Sequence, residues 1–258
     1  MYPIRKRNTN FVAVMSELRK MKGIYLHKVR YSDHSAIAKI YTNEAGMQSF
    51  IIRGVGKTAK NKKNGLLQPL TLLDIVAYIN PKKDIHHIKE INLAYHFKNL
   101  QQKDFVKSSI AIFINELIYK SIKEEEKNQA LFDFLQNSIQ YLDLIEQGYL
   151  NFHLFFAIQF TKYLGFFPAY NQNSSEVYFD LREGKFLPNE PFHPDFIDPT
   201  GTKVFKELLS QEYSGLDSFK ITNQQRKNLL NDILYYYAFH LQGFRNMKSV
   251  YILETVLT

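Results

Sequence analysis

Met47-Gln48-Ser49-Phe50-Ile51-Ile52-Arg53-Gly54-Val55-Gly56-Lys57-Thr58-Ala59-Lys60-Asn61-Lys62-Lys63 is the stretch whose reading decides the fold. Its first half gathers Phe50, Ile51, Ile52 and Val55 in a short β-branched and aromatic run, the composition of a strand laid against a core. Gly54 and Gly56 free the backbone at the strand exit, and Lys57, Lys60, Lys62 and Lys63 follow with no acidic residue between them. A loop of that kind cannot neutralise itself. It stands in solvent as a cationic edge suited to a polyanion.

Outward from this stretch the N-terminal third reads as β. Ile24 to Val29 is a strand, Tyr31 to Ser35 a turn, Ala36 to Tyr41 a second strand, and Asn43-Glu44-Ala45-Gly46 a hairpin turn into the quoted run. Leu70 to Tyr78 and Ile85 to Leu93 add two more strands, separated by Asn80-Pro81-Lys82-Lys83-Asp84. Five short strands with tight turns predict a five-stranded OB-type β-barrel over residues 21–98, a fold that binds extended nucleic acid on an open strand face. The run Met21-Lys22-Gly23-Ile24 resembles a native chain start, so residues 1–20 read as an extension, a disordered basic tail or a start-codon artefact.

Beyond Phe97 the period changes to that of a helix. Apolar residues at 105, 106, 110, 113, 114, 117 and 118 predict a helix over Asp104 to Ile122, and Leu131, Phe134, Leu135, Ile139, Leu142 and Ile145 a second over Gln129 to Gln147. A third, apolar nearly all round and capped by Asn151, runs to Leu164, where Gly165 and Pro168 end it. Residues 169–201 are irregular, with a small hairpin from Val177 to Leu187. Helices return over Thr202 to Gln211, Thr222 to Gln242, where Thr222 and Gln225 form a capping-box signature, and Lys248 to Val256. The fold class is therefore α+β: an OB-type barrel followed by a helical bundle over residues 99–258 with a small β-hairpin insertion.

Composition narrows the function. Residues 1–100 hold 18 Lys/Arg against 6 Asp/Glu, whereas residues 101–258 hold 15 against 19, so the net charge of +8 is concentrated in the barrel. The chain has no cysteine, which removes disulfides, thiolate metal sites and cysteine nucleophiles together. No apolar run is long enough to span a bilayer, and the apolar patch Phe11 to Val14 is too short for a secretory signal, so the expected location is cytoplasmic. No phosphate-binding glycine motif is present, and Gly54-Val55-Gly56 leads into lysines instead of an apolar helix. His86, His87 and His96 lack metal-ligand spacing, Glu124 to Glu126 reads as a solvated helix end, and His193-Pro194-Asp195 as a turn. The expectation is a protein that is not an enzyme and uses no metal or other cofactor.

The basic residues Lys22, Lys28, Arg30, Arg53, Lys57, Lys60, Lys62 and Lys63 are the expected nucleic-acid contacts, since several Lys/Arg on phosphates give strong affinity without sequence preference. Tyr25 and Tyr31 are candidates to stack on bases, with Tyr41 and Phe50 nearby; Phe50 reads better as core.

In order and spacing, Gly23 to Asp33, Tyr41-Thr42, Gly46, Arg53-Gly54-Val55, Leu164-Gly165-Phe166-Phe167-Pro168, His240-Leu241-Gln242-Gly243 and Lys248-Ser249 resemble the RecO family of bacterial DNA repair proteins, across nearly the whole chain from Met21. The resemblance implies a recombination mediator without catalytic chemistry. It would bind single- and double-stranded DNA, anneal complementary strands, work with RecR, and engage the acidic C-terminal tail of single-strand DNA-binding protein to load recombinase on gaps. For that tail an apolar groove with an edge cation is expected on the helices, with Lys162, Arg226 and Lys227 as candidates. Family members commonly carry a four-cysteine zinc motif after the Leu-Gly-Phe segment; residues 170–199 have no cysteine, so zinc is not expected here. An OB-type RNA-binding module without annealing or mediator role is the alternative reading of the charge pattern.

Overall fold

The computed structural model describes residues 16–55, 65–100, 104–169 and 175–257. In the N-terminal third the alternating sequence forms β1 (Glu17–Ser32), β2 (Ser35–Thr42), β3 (Gly46–Arg53), β4 (Leu72–Ile79) and β5 (His86–Leu93). β1 pairs antiparallel with β2 and β4, β2 with β3, and β4 with β5; a short parallel contact of Phe50 with His86 and Ile51 with His87 closes the ring. This is the OB-type arrangement. Ala38, Ile40, Phe50, Ile52, Leu73, Ile75 and Ala77 fill the interior.

β1 serves both halves of the barrel. Glu17 to Ile24 pairs with β4 and Gly23 to Ser32 with β2, and the register slips between Tyr25 and His27, which bends the strand. Gly23 sits at the changeover. A Cβ there would lie 2.6 Å from Ile40 Cγ2 and 2.8 Å from Ile75 Cδ1, so only a bare backbone fits between the two walls.

Two expected boundaries are corrected. Residues 17–20 belong to the barrel, because Glu17 to Lys20 pair with Ile79 to Val76; residues 1–15 lie outside the described residues. β1 also continues through Tyr31 and Ser32, leaving Asp33-His34 as the turn.

The remainder is helical: α1 (Phe105–Ser121), α2 (Gln129–Leu144) and α3 (Phe152–Leu164), then β6 (Tyr178–Asp180), β7 (Lys185–Leu187) and β8 (Phe196–Ile197), then α4 (Pro199–Leu209), α5 (Asn223–His240) and α6 (Ser249–Leu257). Asp104 and Asn128 cap α1 and α2 by accepting from Lys107 N and Leu131 N, and Thr222 and Gln225 form the full capping box on α5. Asn151 does not cap α3 with its side chain. Its amide nitrogen donates to the Phe219 carbonyl at 2.7 Å and its oxygen accepts from Arg226 Nε at 2.8 Å, so its side chain is committed to tertiary partners. α4 starts before Thr202, at Pro199, because Asp198 caps it through Gly201 N.

The expected hairpin gains a third strand. β8 pairs with β6, and the loop between β7 and β8 is clasped by Asp180 against His193 at 3.2 Å and by Arg182 Nε on Asp195 at 2.6 Å.

The barrel docks on the bundle through one end of its outer face. Ile24, Tyr41, Met47 and Leu72 join the helical core, and Tyr41 stacks on Phe132 with ring centroids 6.3 Å apart. Asn115 of α1 bridges the seam by donating to the Leu26 carbonyl at 2.7 Å and accepting from Leu70 N at 3.2 Å. Among the described residues no helix is long and apolar enough to cross a membrane.

Candidate nucleic-acid interface

The Gly46 turn between β2 and β3 faces the helices, so the opposite ends of these strands are left open to solvent. There the Asp33-His34 turn meets the exit of β3: the His34 carbonyl accepts from Gly54 N at 2.8 Å and from Val55 N at 3.3 Å. The backbone entering the lysine segment is thereby pinned to the β1–β2 turn. Lys57, Lys60, Lys62 and Lys63 themselves lie outside the described residues.

The remaining expected contacts divide between two faces. Arg53 pairs with Ser35 and points to the outer face, with Ile37 and Ile51. Lys28 and Arg30 pair with Ala38 and Ala36 and so share the face that lines the barrel interior further along. Both are exposed because the hairpin projects past the barrel mouth. Arg30 is engaged by Asp33 in an exposed ion pair, which a phosphate could displace at little cost. Lys22 stands apart from these. It pairs with Asp74 eight residues earlier on β1 than Arg30, about 26 Å along the strand, and borders a small cavity against α2.

Of the stacking candidates, only Tyr31 is available, at 60% exposure. Tyr25 is 4% exposed and packs in the barrel core, and burial raises its phenol to about 12. It is corrected from base-stacking residue to core residue, because the register places it on the inner face. Tyr41 and Phe50 are likewise buried.

Sequence reading passed over Lys82, Lys83, His87 and Lys89. The first two lie in the β4–β5 turn, and His87 is brought beside Ile51 by the parallel β3–β5 contact, with Lys89 two residues further on. All four are exposed. The alternation of Ile85 to Leu93 was visible, but nothing local says which strand β5 will meet.

On the helical side, Arg226 and Lys227 line one cavity of about 210 Å³ with Leu230, Leu253, Leu257 and His153. Arg226 is only 7% exposed and donates from Nη1 to Asn223 Oδ1 at 2.7 Å besides its bond to Asn151. Lys227 faces Glu254 at 3.8 Å. The His153 ring nitrogens have no hydrogen-bond partner of ordinary geometry, and burial followed by the Arg226 charge lowers the imidazole to about 3, so it is neutral. Lys162 is not part of this cavity; it lies at the end of α3, its ammonium 4.6 Å from the Phe167 ring centre.

Comparison with known proteins agrees with the barrel-then-bundle order. Residues 15–97 match the family model Recombination protein O N terminal, and residues 102–249 match Recombination protein O C terminal. The chain belongs to the RecO family. It is 34% identical over 239 residues to a DNA repair protein RecO of Azobacteroides pseudotrichonymphae, covering 93% of this chain and 99% of that protein. It is 35% identical over 241 residues to the one of Flavobacterium psychrophilum, again covering 93% and 99%, and 32% identical over 241 residues to that of Phocaeicola vulgatus, covering 93% and 100%.

As a RecO protein this chain does not fit a four-cysteine zinc site, since it has no cysteine. Among the described residues no three His, Cys, Asp or Glu side chains gather so as to hold a metal ion. The segment after Leu164-Gly165-Phe166 is tied instead by the Asp180–His193 and Arg182–Asp195 pairs and by Phe179, whose ring lies 4.8 Å from both Phe186 and Phe205.

Proposed function

We propose that this RecO-family protein is a non-enzymatic mediator of DNA repair in the cytoplasm, binding single- and double-stranded DNA on its barrel and annealing complementary strands. The observation that carries the reading is the open barrel end, where Arg30 and Arg53 flank the entry to the lysine segment and Lys89 follows His87 on the strand beside β3. Phosphate contacts from such a surface are independent of sequence and leave base edges accessible. Two mutually repelling strands held on one cationic surface meet with a lower electrostatic barrier, which is what annealing without catalytic chemistry requires.

The same reading makes RecR a partner and gives the acidic tail of single-strand DNA-binding protein a place on the helices. The cavity between α5 and α6 suits that tail: leucines form its wall, and Arg226 and Lys227 supply positive charge. Release of single-strand DNA-binding protein at this point would open gaps for the recombinase.

Fluorescence anisotropy with labelled single strands tests the barrel. Affinity should fall steeply with salt, and replacing Arg30, Arg53 and Lys89 by alanine should weaken binding and flatten the salt slope by roughly 0.7 per lost phosphate contact. An unchanged slope removes this face from the site. Competition with matched RNA separates the DNA reading from the RNA-module alternative. Capture of the acidic tail peptide should weaken in Lys227→Ala.

A further inference from the structure

We propose that the outer wall of the barrel, from β3 across β5 and β4 to the start of β1, is a track for unpaired bases, with Tyr78 and His87 as its stacking platform. The inference rests on the nucleic-acid reading above and adds that this wall is selective for single strands.

The register carries it. Val29 pairs with Ile37, Ile37 with Ile51, Ile51 with His87, His87 with Tyr78, and Tyr78 with Leu18. Directly paired residues project to the same side of a sheet, and these six alternate with the residues that fill the barrel, so they form one continuous row on its outside. The row is apolar and aromatic apart from one imidazole, and it contains no acidic residue. At its β1 end it is bare. Tyr78 is 45% and Leu18 47% exposed, and His87 is exposed as well. Among the described residues neither Tyr78 nor His87 makes a side-chain hydrogen bond or packs against another ring.

The same outer face treats its other end differently. Ile24, Tyr41, Met47 and Leu72 are buried by the helices, and His27 stacks on Tyr119 of α1 at 4.8 Å. Apolar outward residues are thus covered at one end and left open at the other, and the open part is edged with cations. Lys20 lies two residues along β1 from Leu18, Lys89 is the unpaired bulge residue between Ile88 and Glu90 on β5, with Glu90 opposite Val76, and Lys82 and Lys83 lie in the turn that joins β4 to β5. Lys89 contacts Glu90 at 3.8 Å with both side chains exposed, a pair too weak to withhold it from phosphate.

An exposed apolar row with lysines beside it matches a single strand, whose bases need a π-face and whose phosphates need positive charge. It does not match a duplex, whose bases are already stacked on one another and offer only phosphates. It also accounts for the loss of Tyr25 from the site: the stacking ring comes from β4 and not from β1.

The test compares wild type, Tyr78→Ala with His87→Ala, and Tyr78→Phe, using a labelled 20-nucleotide single strand and the matching duplex. All three should melt together, since both positions are solvent-exposed. The double alanine variant should lose single-strand affinity by about tenfold with duplex affinity unchanged, and Tyr78→Phe should retain it. A 2-aminopurine base in the strand should be quenched by wild type and by Tyr78→Phe, and remain bright with the double variant. Equal losses on single strand and duplex, or no loss on either, overturn the track while leaving DNA binding intact. A wild type that binds neither ligand overturns the functional reading itself.

Discussion

Asp232 and Asp143 are carboxylates of the same helical bundle, and their surroundings push them in opposite directions. Burial, assisted by the neighbouring charge of Asp198, raises Asp232 to about 6. The folded protein then holds this proton where the unfolded chain, near 3.8, has released it, so stability declines as pH rises through that window. Asp232→Asn should therefore be more stable than wild type by about 2 kcal/mol at pH 8, with the advantage gone by about pH 4; urea midpoints at the two values measure it. For Asp143 burial acts in the same sense, but hydrogen bonds from Lys98 N, Asn99 N, Leu100 N and Tyr95 Oη outweigh it and hold the carboxyl below 3.8. Its stabilisation is complete above 3.8 and is lost as pH falls below that value toward the folded one. Asp143→Ala should cost about 3 kcal/mol at neutral pH, and the gap from wild type should narrow in acid. A gap independent of pH would assign the loss to packing alone.

At the scale of elements, helix ends were legible where the cap is local and illegible where the partner is remote. Asp104, Asn128 and Thr222 each reach a backbone amide three residues on, so their roles are present in the sequence. Asn151 has the same chemistry at the same kind of position, yet Phe219 and Arg226 claim its side chain, and neither is identifiable from residues near 151. β1 is the corresponding case among strands. Its alternation predicted a strand, but the slip after Tyr25 depends on pairing with β2 and β4 at once, and that slip decides which tyrosine faces the core. Residues 98–100, just past the barrel, had no period to read, because a single carboxylate on α2, Asp143, gathers their three consecutive backbone amides from afar.

For the whole molecule, the seam between barrel and bundle is set by a glycine. Gly46 has φ +62°, and a Cβ on it would lie 2.5 Å from the Glu126 carbonyl and 2.6 Å from that of Glu124, while Met47 N donates to the Glu124 carbonyl at 3.0 Å. The acidic run after α1, read in sequence as a solvated helix end, thus lends its backbone to the domain junction. Gly46→Ala should destabilise by about 3 kcal/mol or more, from both the backbone conformation and the contact, whereas Gly65→Ala, with no atom within 4 Å, should stay within about 0.5 kcal/mol. Chemical denaturation of the two variants checks this, and equal midpoints would dissociate Gly46 from the seam. By itself the sequence determined the order of barrel and bundle, the periods of their elements and the cationic character of the front third, because side-chain period and net charge are properties of neighbours along the chain. Only the tertiary structure decided that Tyr25 is core while Tyr78 and His87 share an open wall, and that Arg226 and Lys227 line a cavity with Leu253 and Leu257 to which Lys162 does not belong. Which side chains share a surface depends on register and closure between distant strands and helices, and those are set by the packing of the whole.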